Sequence, residues 1–287
     1  MVRAAVSTVT LAKALGSPRY ELDADGTQQI GSMSEPATID LLDVPAAAAA
    51  RGFHSFDLSV YHLPSIDSGY LAELRSAFAE AKVELFQLLI DTGEVASTDP
   101  DERGAGIAHI KRWMEIAVEL GARGVRYVPG DSEPSPETIR ASGEAFRELF
   151  DVAVDLGLKP ATENYRHFNL KSGDLLGVIE HSEREYGVIA DFGNARGADK
   201  YETLEAIMPR ATSIHAWAEV DENGDLISED FQRCLSMARD NGFDGPIMLQ
   251  SGYPVDVFQR TREVWARVDE MRDEVRAVFG DALSNGA

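Results

Sequence analysis

Glu163, Asp191 and His215 each stand at the carboxyl end of a short β-rich run, the runs being 159–162, 187–190 and 212–215. Two carboxylates and an imidazole brought together suit Mn2+, Zn2+, Co2+ or Mg2+, and leave positions open for substrate oxygens. Buried side by side, such groups need a partner, and a divalent cation is the economical one. Each has a plainer reading on its own. An acidic residue ending a strand often caps the next helix, and a lone His is commonly a satisfied core residue. Their recurrence on three consecutive strand ends favours a shared site. Other strand ends are polar too: Tyr61-His62, Asp91, Asn164-Tyr165-Arg166-His167, Asn194 and Gln250-Ser251.

The elements that must position these residues form a regular alternation. Eight runs rich in β-branched or aromatic residues cover 3–9, 55–60, 83–90, 124–128, 159–162, 187–190, 212–215 and 246–249. Several are almost continuously apolar, as strands covered on both faces must be. Between them, 70–81, 107–120, 135–156 and 229–240 repeat apolar residues at helical spacing. Gly52, Gly121, Gly157, Gly187 and Gly242 mark helix exits just before the next strand. Eight such units predict an α/β fold, a single (β/α)8 TIM barrel spanning 1–287. An open doubly wound sheet usually carries a glycine-rich phosphate loop after its first strand, and none stands here. The segment 11–38 reads as a long irregular loop on the catalytic face, able to cover the site or merely to decorate it. Residues 280–287 read as a frayed tail.

Composition narrows the function. The net charge is −22, and a surface this acidic repels nucleic-acid backbones and anionic membranes. Salt adaptation and ordinary solubility both account for it. No apolar run reaches the roughly 18–20 residues needed to span a bilayer. A single cysteine, Cys234, excludes a disulfide framework. A cytoplasmic protein acting on a small molecule is expected, compatible with a homo-oligomer.

The series Thr162-Glu163-Asn164, Ala190-Asp191-Phe192-Gly193-Asn194 and Ser213-Ile214-His215-Ala216 resembles the sugar phosphate isomerase/epimerase family, which uses the xylose isomerase-like TIM barrel. Tyr61-His62-Leu63-Pro64-Ser65 and the run Phe86 to Asp91 resemble its second and third strand ends. The resemblance implies that Glu163, Asp191 and His215 hold a metal. It also implies a fourth ligand, a glutamate, after the eighth strand, where this chain has Gln250. In the epimerases of that family the two glutamates act as acid and base. A glutamine oxygen can still ligate a hard cation, but the amide cannot accept and return a proton. The fourth ligand is therefore Gln250, unless Glu219 or Glu222 supplies the missing carboxylate.

The expected chemistry is a divalent-metal-dependent isomerase or epimerase reaction on a sugar, polyol or sugar acid, through an enediolate. Glu163 is one base. His62, Asp91 and His167 are candidate second proton carriers, and His62 is preferred because imidazole titrates near neutrality. Asp91, Arg166, His167, Asn194 and Trp217 are candidate substrate contacts, with Arg196 and Lys200 nearby. Trp217 offers a stacking wall or simply packs beneath a loop. The charged residues have solvated helix starts as their plainer reading. A lyase or deglycosidase, or a sugar-binding barrel without catalysis, are the alternatives. A metal-dependent endonuclease of the same barrel type would need a basic groove, which this acidic chain lacks.

Overall fold

Strands that are apolar on both sides must be covered on both sides, and this chain solves that by closing its sheet. The computed structural model describes residues 1–16, 18–22, 28–33, 37–169, 171–251 and 261–284. Its strands are β1 (Arg3–Ser7), β2 (Pro18–Leu22), β3 (Gln28–Met33), β4 (Ser55–Ser59), β5 (Glu84–Ile90), β6 (Gly124–Tyr127), β7 (Lys159–Glu163), β8 (Gly187–Asp191), β9 (Ala211–Ala218) and β10 (Pro246–Ser251). Eight of them form a closed barrel in the order β1-β10-β9-β8-β7-β6-β5-β4. Every pairing around the ring is parallel. The helices are α1 (Ala12–Leu15), α2 (Val44–Ala49), α3 (Ser68–Ala81), α4 (Pro100–Leu120), α5 (Pro136–Asp155), α6 (Ser172–Ser182), α7 (Lys200–Ile207), α8 (Ser228–Asp240) and α9 (Thr261–Phe279). This is the expected (β/α)8 barrel, in one domain.

Local chemistry sets the helix bounds. The side chain of Asp99 accepts from Asp101 N and Pro100 opens the first turn, so α4 starts a full turn and more before the apolar stripe seen in sequence. Gly121 ends it at φ 75°, a left-handed conformation that an L side chain resists. Ser135 and Thr138 form a reciprocal cap on α5, and Phe146, Leu149 and Ala153 form its buried face. The outward faces of the strands, including Leu58, Leu88, Val125, Ile214 and Leu249, join these helices in the main core. Each such buried side chain contributes roughly 1.5–3 kcal/mol. Inside the barrel, Ala5, Phe86 and Met248 form one apolar cluster, and Leu89, Ala161 and Ile189 another.

The chain's two ends and its long loop also depart from expectation. The first strand stops at Ser7 rather than residue 9, because the chain turns there: Thr10 N and Leu11 N donate to Ser7 O and Thr8 O. The segment 11–38 is not wholly irregular. It holds α1 and the antiparallel pair β2–β3, where a proline opens one strand and a glycine interrupts the other, so they carry little β signal. The tail is tied down as far as residue 284. Leu283 is buried and bridges Val2 in parallel, and Ser284 N donates to Val2 O at 2.8 Å. Residues 285–287 lie outside the described set. Among the described residues, no helix is long and apolar enough to cross a membrane.

Candidate metal centre

In a parallel barrel every second side chain of a strand points inward, and the last inward residues of neighbouring strands meet at the mouth. Glu163 closes β7, Asp191 closes β8, and His215 lies within β9, paired in register with Asp191. β9 continues to Ala218, three residues past its expected end, which carries Trp217 into the mouth as well. The cavity there measures about 630 Å3. It is lined by Ser59, Tyr61, His62, Asp91, Arg126, Tyr165, Asn194, Arg196 and Gln250 besides the residues just named.

Glu163, Asp191 and His215 are all buried, and one potential ligand atom from each falls within 4.8 Å of the others. His215 Nδ1 lies 3.4 Å from Glu163 Oε1 and 3.6 Å from Asp191 Oδ2. The other oxygen of Asp191 accepts from Gly193 N and Asn194 N, both at 2.7 Å. Asn194 Nδ2 donates to Glu163 Oε1 at 3.0 Å. Gly193 is required by its neighbour: a Cβ there would stand 2.4 Å from Trp217 Cγ, so only glycine lets the indole lie against the end of β8.

Two residues that the sequence reading passed over complete the charge pattern. Arg126, 3% exposed, pairs with Asp91 Oδ1 at 2.7 Å and meets Glu163 Oε2 at 2.9 Å. Asp57, fully buried, places Oδ2 at 3.2 Å from His215 Nε2. Both sit inside strands rather than at their ends. Their signal was available in alternation: Ser55, Asp57 and Ser59 make one face of β4 polar, and Arg126 is a lone charge in the short strand β6.

Burial alone would raise the Glu163 carboxyl, but the Arg126 guanidinium and His215 outweigh it and hold it at about 2. Asp191 is pushed up by burial and by the charge of Glu163, against the pull of His215. Burial also raises Asp57, with His215 opposing. His215 would be lowered by burial, yet the carboxylates around it raise it well above its ordinary value. Four buried carboxylates (Asp57, Asp91, Glu163 and Asp191) thus face one guanidinium and one imidazole. That excess of negative charge, with oxygen and nitrogen donors converging, fits a divalent cation.

Gln250 is the penultimate residue of β10, paired with Trp217, 2% exposed and in the lining. Its Nε2 is buried without a hydrogen-bond partner. Glu219 is exposed and turned 3.9 Å from Lys200, and Glu222 is exposed, so neither stands in for it. His62 lines the cavity with Nδ1 2.8 Å from Thr8 Oγ1. Its expected near-neutral titration does not hold. Burial lowers it to about 4, against a smaller opposing pull from Asp91.

Asp91, Asn194, Trp217 and Arg196 also line the cavity. Arg166, His167 and Lys200 do not. Arg166, at φ 57°, turns back to pair with Asp131, and His167 Nδ1 meets Glu133 at 3.0 Å. Lys200 Nζ is held by Asp230 at 2.6 Å. This left-handed residue, three positions past the end of β7, turns the chain away, so nearness in sequence did not bring Arg166 and His167 to the cavity.

A family profile described as xylose isomerase-like TIM barrel matches residues 45–276. No curated protein sequence matches the chain. Among solved structures, it superimposes on an L-ribulose 3-epimerase with a TM-score of 0.67 and 14% identity, covering 98% of this chain and 94% of that one. The IolI protein with a bound zinc atom gives a TM-score of 0.67 at 18% identity, over 97% and 99% of the two chains. The 3-keto-D-glucoside 4-epimerase YcjR from E. coli gives 0.58 at 17% identity, over 84% and 97%. At these identities the structural likeness speaks for the fold alone. Together with the profile match over most of its length, the barrel and its mouth place this chain in the xylose isomerase-like TIM barrel family.

Proposed function

We propose that this barrel is a divalent-metal-dependent enzyme of the isomerase/epimerase kind, acting on a sugar, polyol or sugar acid. The observation that carries the reading is the buried convergence of Glu163, Asp191 and His215 at the carboxyl-terminal mouth. Those three, with the side-chain oxygen of Gln250, would hold the ion. Bound there, it would supply Lewis acidity toward vicinal substrate oxygens and ease removal of a neighbouring C–H proton. The relatives named above support a sugar-like substrate.

The chain's own residues take the remaining tasks. Arg126 and Asn194 hold the two oxygens of Glu163, so its carboxylate is oriented and stays in its basic form at neutral pH. Glu163 removes the proton beside the substrate carbonyl, and the resulting enediolate is reprotonated at the adjacent carbon or expels a β-leaving group. His62, which lines the same cavity and is kept neutral by burial, is the second proton-handling group. Gln250 cannot exchange a proton, which favours isomerisation or elimination over a two-carboxylate epimerisation. Trp217 supplies the stacking wall, and Asp91 and Asn194 supply polar contacts.

Elemental analysis of protein purified without chelator tests the centre. Near one equivalent of Mn, Zn, Co or Mg is expected, lost in Glu163→Gln and in Asp191→Asn. A screen of keto-sugars and sugar acids then identifies the reaction. Protein with no bound metal, and no thermal stabilisation by any of the four ions, would sink the reading.

A further inference from the structure

Asp57 is among the most deeply buried acids of the chain, and nothing in the preceding mechanism uses it. It lies in the middle of β4, on the inward face shared with Ser55 and Ser59. Its Oδ2 meets His215 Nε2 at 3.2 Å, while Oδ1 is buried with no hydrogen-bond partner. β4 and β9 are not neighbours. β1 and β10 stand between them in the ring, so the contact reaches across the barrel interior. A buried carboxylate is costly, and removing its one partner would leave it uncompensated. A barrel that needed only packing at this position would be served better by an apolar side chain.

The geometry of the imidazole gives the carboxylate a task. Nδ1, the ring nitrogen nearer the backbone, faces the adjacent strands, where Glu163 and Asp191 lie at 3.4 and 3.6 Å. Nε2 reaches the far wall and meets Asp57. The two nitrogens are at opposite sides of the ring, so Asp57 cannot share an ion with Glu163 and Asp191. A neutral imidazole carries one proton, and the nitrogen that bears it cannot ligate a metal. A carboxylate accepting from Nε2–H fixes the proton there and leaves the Nδ1 lone pair directed at the cluster.

Resting on the metal-centre reading above, we infer that Asp57 is the positioning residue of the centre, holding His215 in the Nε2–H tautomer so that Nδ1 is the ligating atom. Outer carboxylates of this kind raise ligand basicity, and their loss typically weakens metal binding 10–100-fold. The role is distinct from that of Arg126, which acts on Glu163 rather than on the imidazole.

Two measurements test it, both with Zn2+ alone as the probe. Competition against a chromophoric chelator gives the Zn2+ affinity of the parent and of Asp57→Asn, which keeps the side-chain shape and removes the charge. The variant is expected to bind about 10–100-fold more weakly. Two-bond 1H–15N correlation spectra of the Zn2+-loaded parent then report the tautomer, with the His215 signal assigned by its loss in His215→Gln. The expected pattern is a proton on Nε2 and zinc on Nδ1. A merely structural role for Asp57 would leave that pattern indifferent to its removal, whereas the inference requires Asp57→Asn to mix or reverse it. If the parent takes up no Zn2+, the metal-centre reading itself falls and the inference falls with it. If the parent binds Zn2+ and Asp57→Asn binds equally well, or the loaded parent shows a proton on Nδ1, the inference alone is overturned. If Asp57→Asn fails to fold, Asp57→Glu, which keeps the carboxylate, is expected to retain the parent pattern and affinity, and Asp57→Ser to lose both; a proton on Nδ1 in the parent overturns the inference without any variant.

Discussion

The two ends of this barrel carry cavities of similar size, about 630 Å3 at the carboxyl-terminal mouth and about 600 Å3 at the amino-terminal base. Volume does not separate them; the state of their charges does. At the base, Phe86 is flanked by the guanidinium groups of Arg3 and Arg123, 5.5 and 5.0 Å from its ring centre. Both arginines reach Glu84, at 3.4 and 3.2 Å, and the three side chains remain between a quarter and two-fifths exposed. Water screens that cluster, and it is a stability feature of modest weight. At the mouth, Arg126, Asp91 and Glu163 have side chains under a tenth exposed, and the carboxylates outnumber the cations. Uncompensated charge in a desolvated cavity is costly to the fold, so packing alone does not account for the residues at the mouth.

The strongest way to break this contrast is to remove the cation of the mouth. Arg126→Leu leaves Asp91 and Glu163 buried beside each other's charge with no guanidinium. Breaking a buried pair in this way costs about 3–5 kcal/mol. Urea denaturation in the presence of chelator should show that loss, and adding a divalent ion should restore part of it. A cost below about 1 kcal/mol, the range of an exposed pair, would mean that the mouth is as well solvated as the base.

How much of this was legible depends on where along a strand a residue sits. Glu163, Asp191 and Gln250 could be read because strand ends in a parallel barrel converge whatever the rest of the chain does. Asp57 and Arg126 lie inside strands, and their direction depends on register, which slips between Phe56 and Asp57 in this sheet. Counting alternate residues from the wrong end of β5 would turn its inward face outward. Arg166 and His167 show the converse. Their distance along the chain from Glu163 is small, but a single positive φ sends them to the loop that carries Asp131 and Glu133. The barrel itself was readable because its signal is repeated eight times, so no single boundary error could hide it.

A second difference between the ends lies in His62, whose imidazole is held neutral at the mouth. Its folded pKa of about 4 lies below the ordinary value of 6.5, so the unfolded chain takes up the proton first as pH falls. The stability from keeping this group neutral is present above pH 6.5 and is lost progressively as pH falls toward 4. A shift of that size corresponds to about 3 kcal/mol at most. Denaturation profiles at a series of pH values across that window should therefore fall more steeply for the parent than for His62→Gln. Parallel profiles would mean that His62 is solvated, and would remove it as a neutral proton carrier at physiological pH.

The smallest expected effect is the one at the base, and it is the control for the other two. Arg123→Ala removes one guanidinium from Glu84 and from one side of the Phe86 ring, while Arg3 keeps both contacts. An exposed ion pair contributes about 0.2–1 kcal/mol, and a partly solvated cation over a ring about 0.5–1. With Arg3 still in place, the loss should stay near 1 kcal/mol and should shrink further in high salt, since solvated charges a few ångströms apart are screened. The Arg126→Leu loss should change much less with salt, because its carboxylates are shielded from solvent ions. A salt-insensitive loss of several kcal/mol for Arg123→Ala would show that the base, too, holds desolvated charge. Burial of charge would then no longer single out the mouth, and the 600 Å3 cavity at the base would have to be weighed as a second binding site.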